Sequence, residues 1–243
     1  MIFELAAAVT SAAAQAPVAP ANLLQSATQS SGSAGPFGAI GMVVVLTLIT
    51  LLPAIILSCT SFVRFVVVLG FVRTGLGTPA APPNQVLVGL ALFMTVFVSA
   101  PVAVQMYDAG GRAYLHGEMD EKQAIEAATP PLRKFLVSRT SESDLSLFFE
   151  VAKAPRPAGI DDVPLRVAIP AFIVSELRTA FKIGLTILLP FLVIDLVAAT
   201  ILTALGMVMV PPAVVALPIK LLVFVMIDGW HLVVQSLLRG AMA

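Results

Sequence analysis

Residues 171–205 read AFIVSELRTAFKIGLTILLPFLVIDLVAATILTAL, a 35-residue run with only four charges, Glu176, Arg178, Lys182 and Asp195. A membrane-spanning helix needs roughly 20 apolar residues. The run is long enough to span a bilayer as one helix, and Pro190 is placed to bend it. Its flanks repeat the pattern. Residues 37–59 and 85–106 carry no charge and are each of spanning length. Pro53 should kink or end the first of these. Asn84 is suited to cap the second, after the break at Pro79, Pro82 and Pro83. Residues 219–238 read as a last helix, with Trp230 near its far end suited to a membrane interface.

Composition agrees. Hydrophobic residues make up 58% of the 243 and charged residues 12%, against about 25% charged in a soluble domain. Mean hydropathy is +0.99. An ordinary soluble enzyme, a disordered protein and a coiled coil are excluded. The chain is expected to be an all-α, multi-helix integral membrane protein. Its 14 basic and 14 acidic residues balance, so no global field favours nucleic acid. Cys59 is the lone cysteine, which excludes an intrachain disulfide and a cysteine-cluster metal site. His116 and His231 lie far apart and no metal-ligand spacing occurs. The glycines of GFVRTGLG, residues 70–77, follow no strand and form no phosphate loop. No catalytic residue, cofactor or metal ligand is expected.

Charge spacing divides the chain into four segments. Residues 1–36 combine a candidate signal peptide with a flexible linker rich in Ala, Ser, Gln, Gly and Pro. Glu4 stands where a secretory signal carries a basic residue, so cleavage stays open. Residues 37–107 hold a first membrane helix pair. Its connection, SFVRFVVVLGFVRTGLG at 61–77, carries only Arg64 and Arg73 and faces the cytoplasm by the positive-inside rule. Residues 108–168 form an extracytoplasmic segment with two or three short helices; ten of the acids and eight of the bases fall within 108–166. Residues 169–243 hold a second helix pair around a Met/Pro turn.

Six charges lie in or beside the second apolar half: Glu176, Arg178, Lys182, Asp195, Lys220 and Asp228. Each costs ~2.5–3.5 kcal/mol at mid-membrane on insertion scales, so they pair or line water. Intramolecular pairing is one reading; an aqueous pathway or subunit interface is the other. Arg178 and Lys182 are four apart, share a helix face and repel. Their acidic partners come from another helix or another copy of the chain. Asp195 and Asp228 could form an acid/base dyad, but Lys220 and Arg178 can neutralise either one. The segment GMVMVPPAVVALPIK, residues 206–220, breaks the helix with Gly206, Pro211 and Pro212. Irregular backbone at that depth must be buried by protein or meet water. Met207 and Met209 sit on this turn, either as gap-fillers or as a deformable constriction.

The strings TSFVRFVVVLGFVRTGLG, APPNQVLVGLALFMT, SELRTAFKIG, PFLVIDLV, GMVMVPPAVVALPIK and LLVFVMIDGWHLVVQSL resemble the FliP family of flagellar type III secretion proteins, and more distantly its injectisome counterpart. The resemblance covers about 60–95 and 169–237. It implies helical hairpins assembling into an oligomeric ring of about five copies. It implies partnership with FliQ-like, FliR-like and FlhB-like subunits in an export gate at the basal body. The gate passes unfolded flagellar proteins across the inner membrane. In the assembled gate the helices would sit largely above the membrane plane, towards the periplasm. The family's Met-rich gasket maps onto Met207 and Met209, with Val208 where a third Met is common. Glu176, Arg178, Lys182 and Lys220 match positions that would lie at subunit contacts, with Asp195 and Asp228 as further buried charges. The alternative is an ion-coupled transporter or proton channel, in which the buried charges relay ions.

Overall fold

The computed structural model describes residues 36–78, 81–153, 155, 157, 159–207 and 209–242. Residues 1–35 of the candidate signal peptide and linker lie outside the described residues, and Pro36 opens the first helix. All regular structure among the described residues is helical. Two compact units divide at Ala54 and Ile55. Helix α1, Pro36–Ser58, continues through Pro53 rather than ending there.

Helix α2, Phe62–Leu76, is the first helix wholly within the second unit. Phe65, Val68, Leu69, Val72 and Leu76 recur at helical spacing and are buried. This corrects the reading of 61–77 as a connection between helices. The stretch is a core helix, and Arg64 is buried in it. Gly77 ends α2 in the left-handed region at φ 73, donating its N–H to the Thr74 carbonyl at 3.1 Å.

Helix α3, Asn84–Met106, runs on through a π-helical segment, Tyr107–Gly111, and a last turn, Arg112–Leu115. Pro83, not Asn84, takes the N-cap position. At Gly110 the backbone passes so close to the next helix that a Cβ would lie 2.2 Å from the Ala124 carbonyl oxygen. That next helix, α4, is Glu121–Ser138, started by a capping box of Asp120 and Gln123. Helix α5, Glu142–Val151, and a 3₁₀ turn, Ile160–Asp162, complete the charge-rich segment. Phe135, Leu136, Phe149, Val163 and Phe172 form its core.

Helix α6, Leu165–Ala204, is 40 residues long and unbroken through Pro170 and Pro190. It packs on α2 by reciprocal interlock. A Cβ on Gly184 of α6 would lie 2.2 Å from the Phe71 ring of α2; a Cβ on Gly75 of α2 would lie 2.6 Å from the Phe191 ring of α6. Phe71 also meets Phe181 edge-on at 5.4 Å.

The expected single helix over 219–238 is two helices. Helix α7 is Pro212–Met226 and helix α8 is Gly229–Met242, bent by 63°. Pro218 lies inside α7 rather than interrupting it, and Pro212 opens it, where a missing N–H costs nothing. The bend has a local cause. Asp228 adopts φ 52, and the buried Gly229 receives the Phe224 ring where its Cβ would be, at 2.3 Å. Trp230 closes the corner edge-on to Phe224 at 5.4 Å.

Among the described residues, two helices are long and apolar enough to cross a membrane, Asn84–Leu115 and Leu165–Ala204, or three if α7 and α8 form one bent span.

Candidate functional site: paired charges and the Met–Pro turn

Glu176 sits on α6 with 1% of its side chain exposed. Its partner is Arg64 on α2, 5% exposed. The pair is bidentate: Arg64 Nε donates to Oε2 at 2.8 Å and Nη2 to Oε1 at 2.5 Å. The planar guanidinium fork matches a carboxylate in this way, which a lysine would not. The third Arg64 nitrogen donates to the Gly240 carbonyl of α8 at 2.7 Å. One arginine thus ties α2, α6 and α8 together.

Arg139 follows α4 and donates to the next carbonyl, Ala241, at 2.9 Å. Its guanidinium lies 4.2 Å from the centre of the Phe135 ring. Two cations therefore meet the last turn of α8, where unpaired carbonyls make the helix end negative. Burial lowers the Arg139 pKa from its ordinary value; the Glu176 charge opposes this and the Arg64 charge adds to it. Ser175, one residue before Glu176, holds the turn after α4 by accepting from the Ser141 N–H at 3.0 Å.

Arg178 reaches α5. Its Nη2 lies 2.5 Å from Oδ1 of the buried Asp144, and its Nη1 donates to Ser143 Oγ at 2.9 Å. Arg178 itself is 58% exposed, so solvent screens much of this attraction. Lys182, one turn on, is exposed, and among the described residues no carboxylate lies within ion-pair distance of it. Lys220 on α7 meets Asp195 on α6 at 2.6 Å, with the lysine 6% and the aspartate 41% exposed. Asp228 is exposed at the α7–α8 corner. Asp195 is thus held by a cation, and among the described residues no hydrogen bond joins it to Asp228.

Three of the four charges expected at subunit contacts therefore have a partner within the chain: Glu176, Arg178 and Lys220. Arg64, Arg139 and Asp144 were not among the expected site residues. Arg64 had a signal, because it lies one helical turn before Val68 on the buried stripe of α2. Arg139 and Asp144 had none, since both sit in a charge-rich stretch.

The Met–Pro turn has a defined geometry. Helix α6 ends at Ala204 with Leu205 as its C-cap, and Gly206 follows in the left-handed region at φ 75. The Gly206 N–H donates to Thr203 O at 3.0 Å and the Met207 N–H to Leu202 O at 2.9 Å. This is the Schellman pattern, which favours glycine at the left-handed position. Pro211 then caps α7. Between these two clamps Met207 is 46% and Met209 97% exposed. Val208 lies outside the described residues.

A comparison with known protein families matches residues 45–237 to the FliP family. The chain belongs to the FliP family. Flagellar biosynthetic protein FliP of Pectobacterium carotovorum subsp. carotovorum is 50% identical over 189 residues, covering 78% of this chain and 73% of that protein. The protein of the same name from Caulobacter vibrioides is 49% identical over 193 residues, with the same coverage. That of Bacillus subtilis is 44% identical over 188 residues, covering 77% and 85%. The FliP-matched stretch contains every paired charge and the Met–Pro turn; Gly240 and Ala241 lie beyond it.

Proposed function

We propose that this chain is a non-catalytic subunit of the flagellar type III export gate in the bacterial inner membrane. Family membership over most of the chain carries this reading. Copies of the chain, about five in a closed ring, assemble with FliQ-like, FliR-like and FlhB-like subunits. The ring passes unfolded flagellar proteins and closes when idle.

The turn supports the closure. A residue as apolar as Met209, almost wholly exposed, lacks a packing role within one copy. A ring of such side chains would exclude water and deform around varied cargo. In this reading Lys182 and the exposed part of Arg178 meet neighbouring copies; the exposed Phe181, Leu185 and Leu189 beside them on α6 support it. Glu176, Asp195 and Lys220 hold the chain's own helices in the register that presents those contacts. The ion-relay alternative finds less support, because Glu176 and Asp195 are each engaged by a cation.

Native mass spectrometry of the chain in mild detergent, alone and co-expressed with its operon neighbours, tests the reading. A ring of about five copies that takes up small helical membrane partners supports it. A monomer in both preparations overturns it.

A further inference from the structure

Met209 is the most exposed methionine among the described residues. Met226 and Met242 are also exposed, but each is the last residue of a helix, α7 and α8. Met94 is buried in the hydrophobic core. Met207 and Met209 stand instead on the irregular turn between α6 and α7. Their exposure is built into that turn. The left-handed Gly206 fixes the chain before Met207, the Val210 N–H donates to the Met207 carbonyl at 3.3 Å, and Pro211 fixes the entry to α7. Met209 is held outward by backbone on both sides, with its thioether open to small solutes.

That exposure has a chemical consequence. The lone pair of a thioether sulfur attacks one oxygen of a peroxide, and the S–O bond forms as the O–O bond breaks. Sulfur is oxidised and the peroxide is reduced. The departing hydroxide takes the proton from the oxygen now on sulfur and leaves as water. The product, methionine sulfoxide, is polar where the thioether was apolar. An apolar constriction closes by excluding water. Sulfoxides at the same place would accept hydrogen bonds from water and hold it there.

We propose that Met209, with Met207 as the lesser site, is a peroxide-sensitive modification site whose oxidation opens the closure and whose reduction restores it. Methionine sulfoxide reductases carry out the reverse step. A dithiol supplies the electron pair and becomes a disulfide, and the sulfoxide oxygen leaves as water. The inference rests on the closure proposed above.

The assembled complex in vesicles is treated with dilute hydrogen peroxide. Peptide mass spectrometry reads the fraction of each methionine that has gained an oxygen, and ion flux is read on the same vesicles. Met209 should be oxidised ahead of Met207, with Met94 unmodified, and flux should rise in proportion to the oxidised fraction of Met209. Reductases of both stereospecificities should return mass and flux to their untreated values. Met207→Leu with Met209→Leu keeps apolar side chains of similar volume and removes both sulfurs. Peroxide should leave the flux of that variant where it stood before treatment, which assigns the response to this turn rather than to other subunits. A wild-type flux that stays flat while Met209 is oxidised overturns the proposal. So does a Met209 left unmodified while Met226 is oxidised, or a leucine variant whose flux rises as much as that of the wild type. Met207→Ala with Met209→Ala separates the two ways of failing. If it leaks and the oxidised wild type does not, the closure stands and the redox site falls. If neither leaks, the closure falls and this inference with it.

Discussion

Arg64 and Glu176 are 112 residues apart in sequence and form a bidentate pair almost wholly closed to solvent. Removing one partner of such a pair leaves the other charged and buried, at a cost of about 3–5 kcal/mol. Replacing both by apolar residues of similar volume is often close to neutral. Arg64→Ala and Glu176→Ala should each destabilise the chain strongly. Arg64→Met with Glu176→Leu should recover much of the loss, less the bond to Gly240. Denaturation in detergent, followed by the lone Trp230, measures this. A double mutant as unstable as the two single losses added together would show that the two residues act independently.

The interlock of α2 and α6 makes a second, sharper prediction. Gly184→Ala places a methyl group inside the Phe71 ring, and overpacking of this kind costs about 1–3 kcal/mol. Gly70→Ala, on α2 with open space around its position, should instead stabilise by about 0.5–1 kcal/mol. Adding Phe71→Leu to Gly184→Ala should relieve part of the clash. If both glycine variants melt at the wild-type temperature, the helices approach less closely than described.

Much of this architecture was legible beforehand. Long apolar runs, uncharged over 85–106 and sparsely charged over 171–205, located α3 and α6, since hydrophobic length is a property of the sequence alone. Gly206 with Pro211 and Pro212 marked the break between α6 and α7 for the same reason: backbone freedom and a missing N–H act locally. The partners of the buried charges were not legible. Arg64 finds Glu176 across 112 residues, and nothing near either residue encodes the other. Residues 61–77 passed for a connection because two arginines without nearby acids suggest a loop. The corner at Asp228 was missed because it depends on the Phe224 ring seated against Gly229, a contact that apolar periodicity cannot reveal.

Lys220 and Asp195 allow fold and assembly to be separated. Lys220→Glu sets two carboxylates together where the lysine is nearly buried, so folded yield and ring assembly should both fall. Lys220→Glu with Asp195→Lys restores opposite charges within the chain. If the pair acts only inside one copy, the exchange should recover stability and rings together. Recovered stability without rings, read by thermal unfolding and native electrophoresis, would place Lys220 at a contact between copies as well.

The Met–Pro turn separates closure from stability. Met209 is 97% exposed and Met207 46%, and surface changes away from packing usually alter stability by no more than ~0.5 kcal/mol. Met207→Ala with Met209→Ala should therefore melt like the wild type and assemble normally. It should nonetheless leak small ions, because the ring would lose its apolar closure. Gly206→Ala should do the reverse. A Cβ at φ 75 strains the backbone by about 1–2 kcal/mol, lowering the melting temperature while leaving both methionines in the sequence. Ion flux across vesicles bearing the assembled complex, compared with thermal unfolding of the same variants, reads both effects. A methionine double mutant with normal rings and unchanged ion flux would remove Met207 and Met209 from the closure.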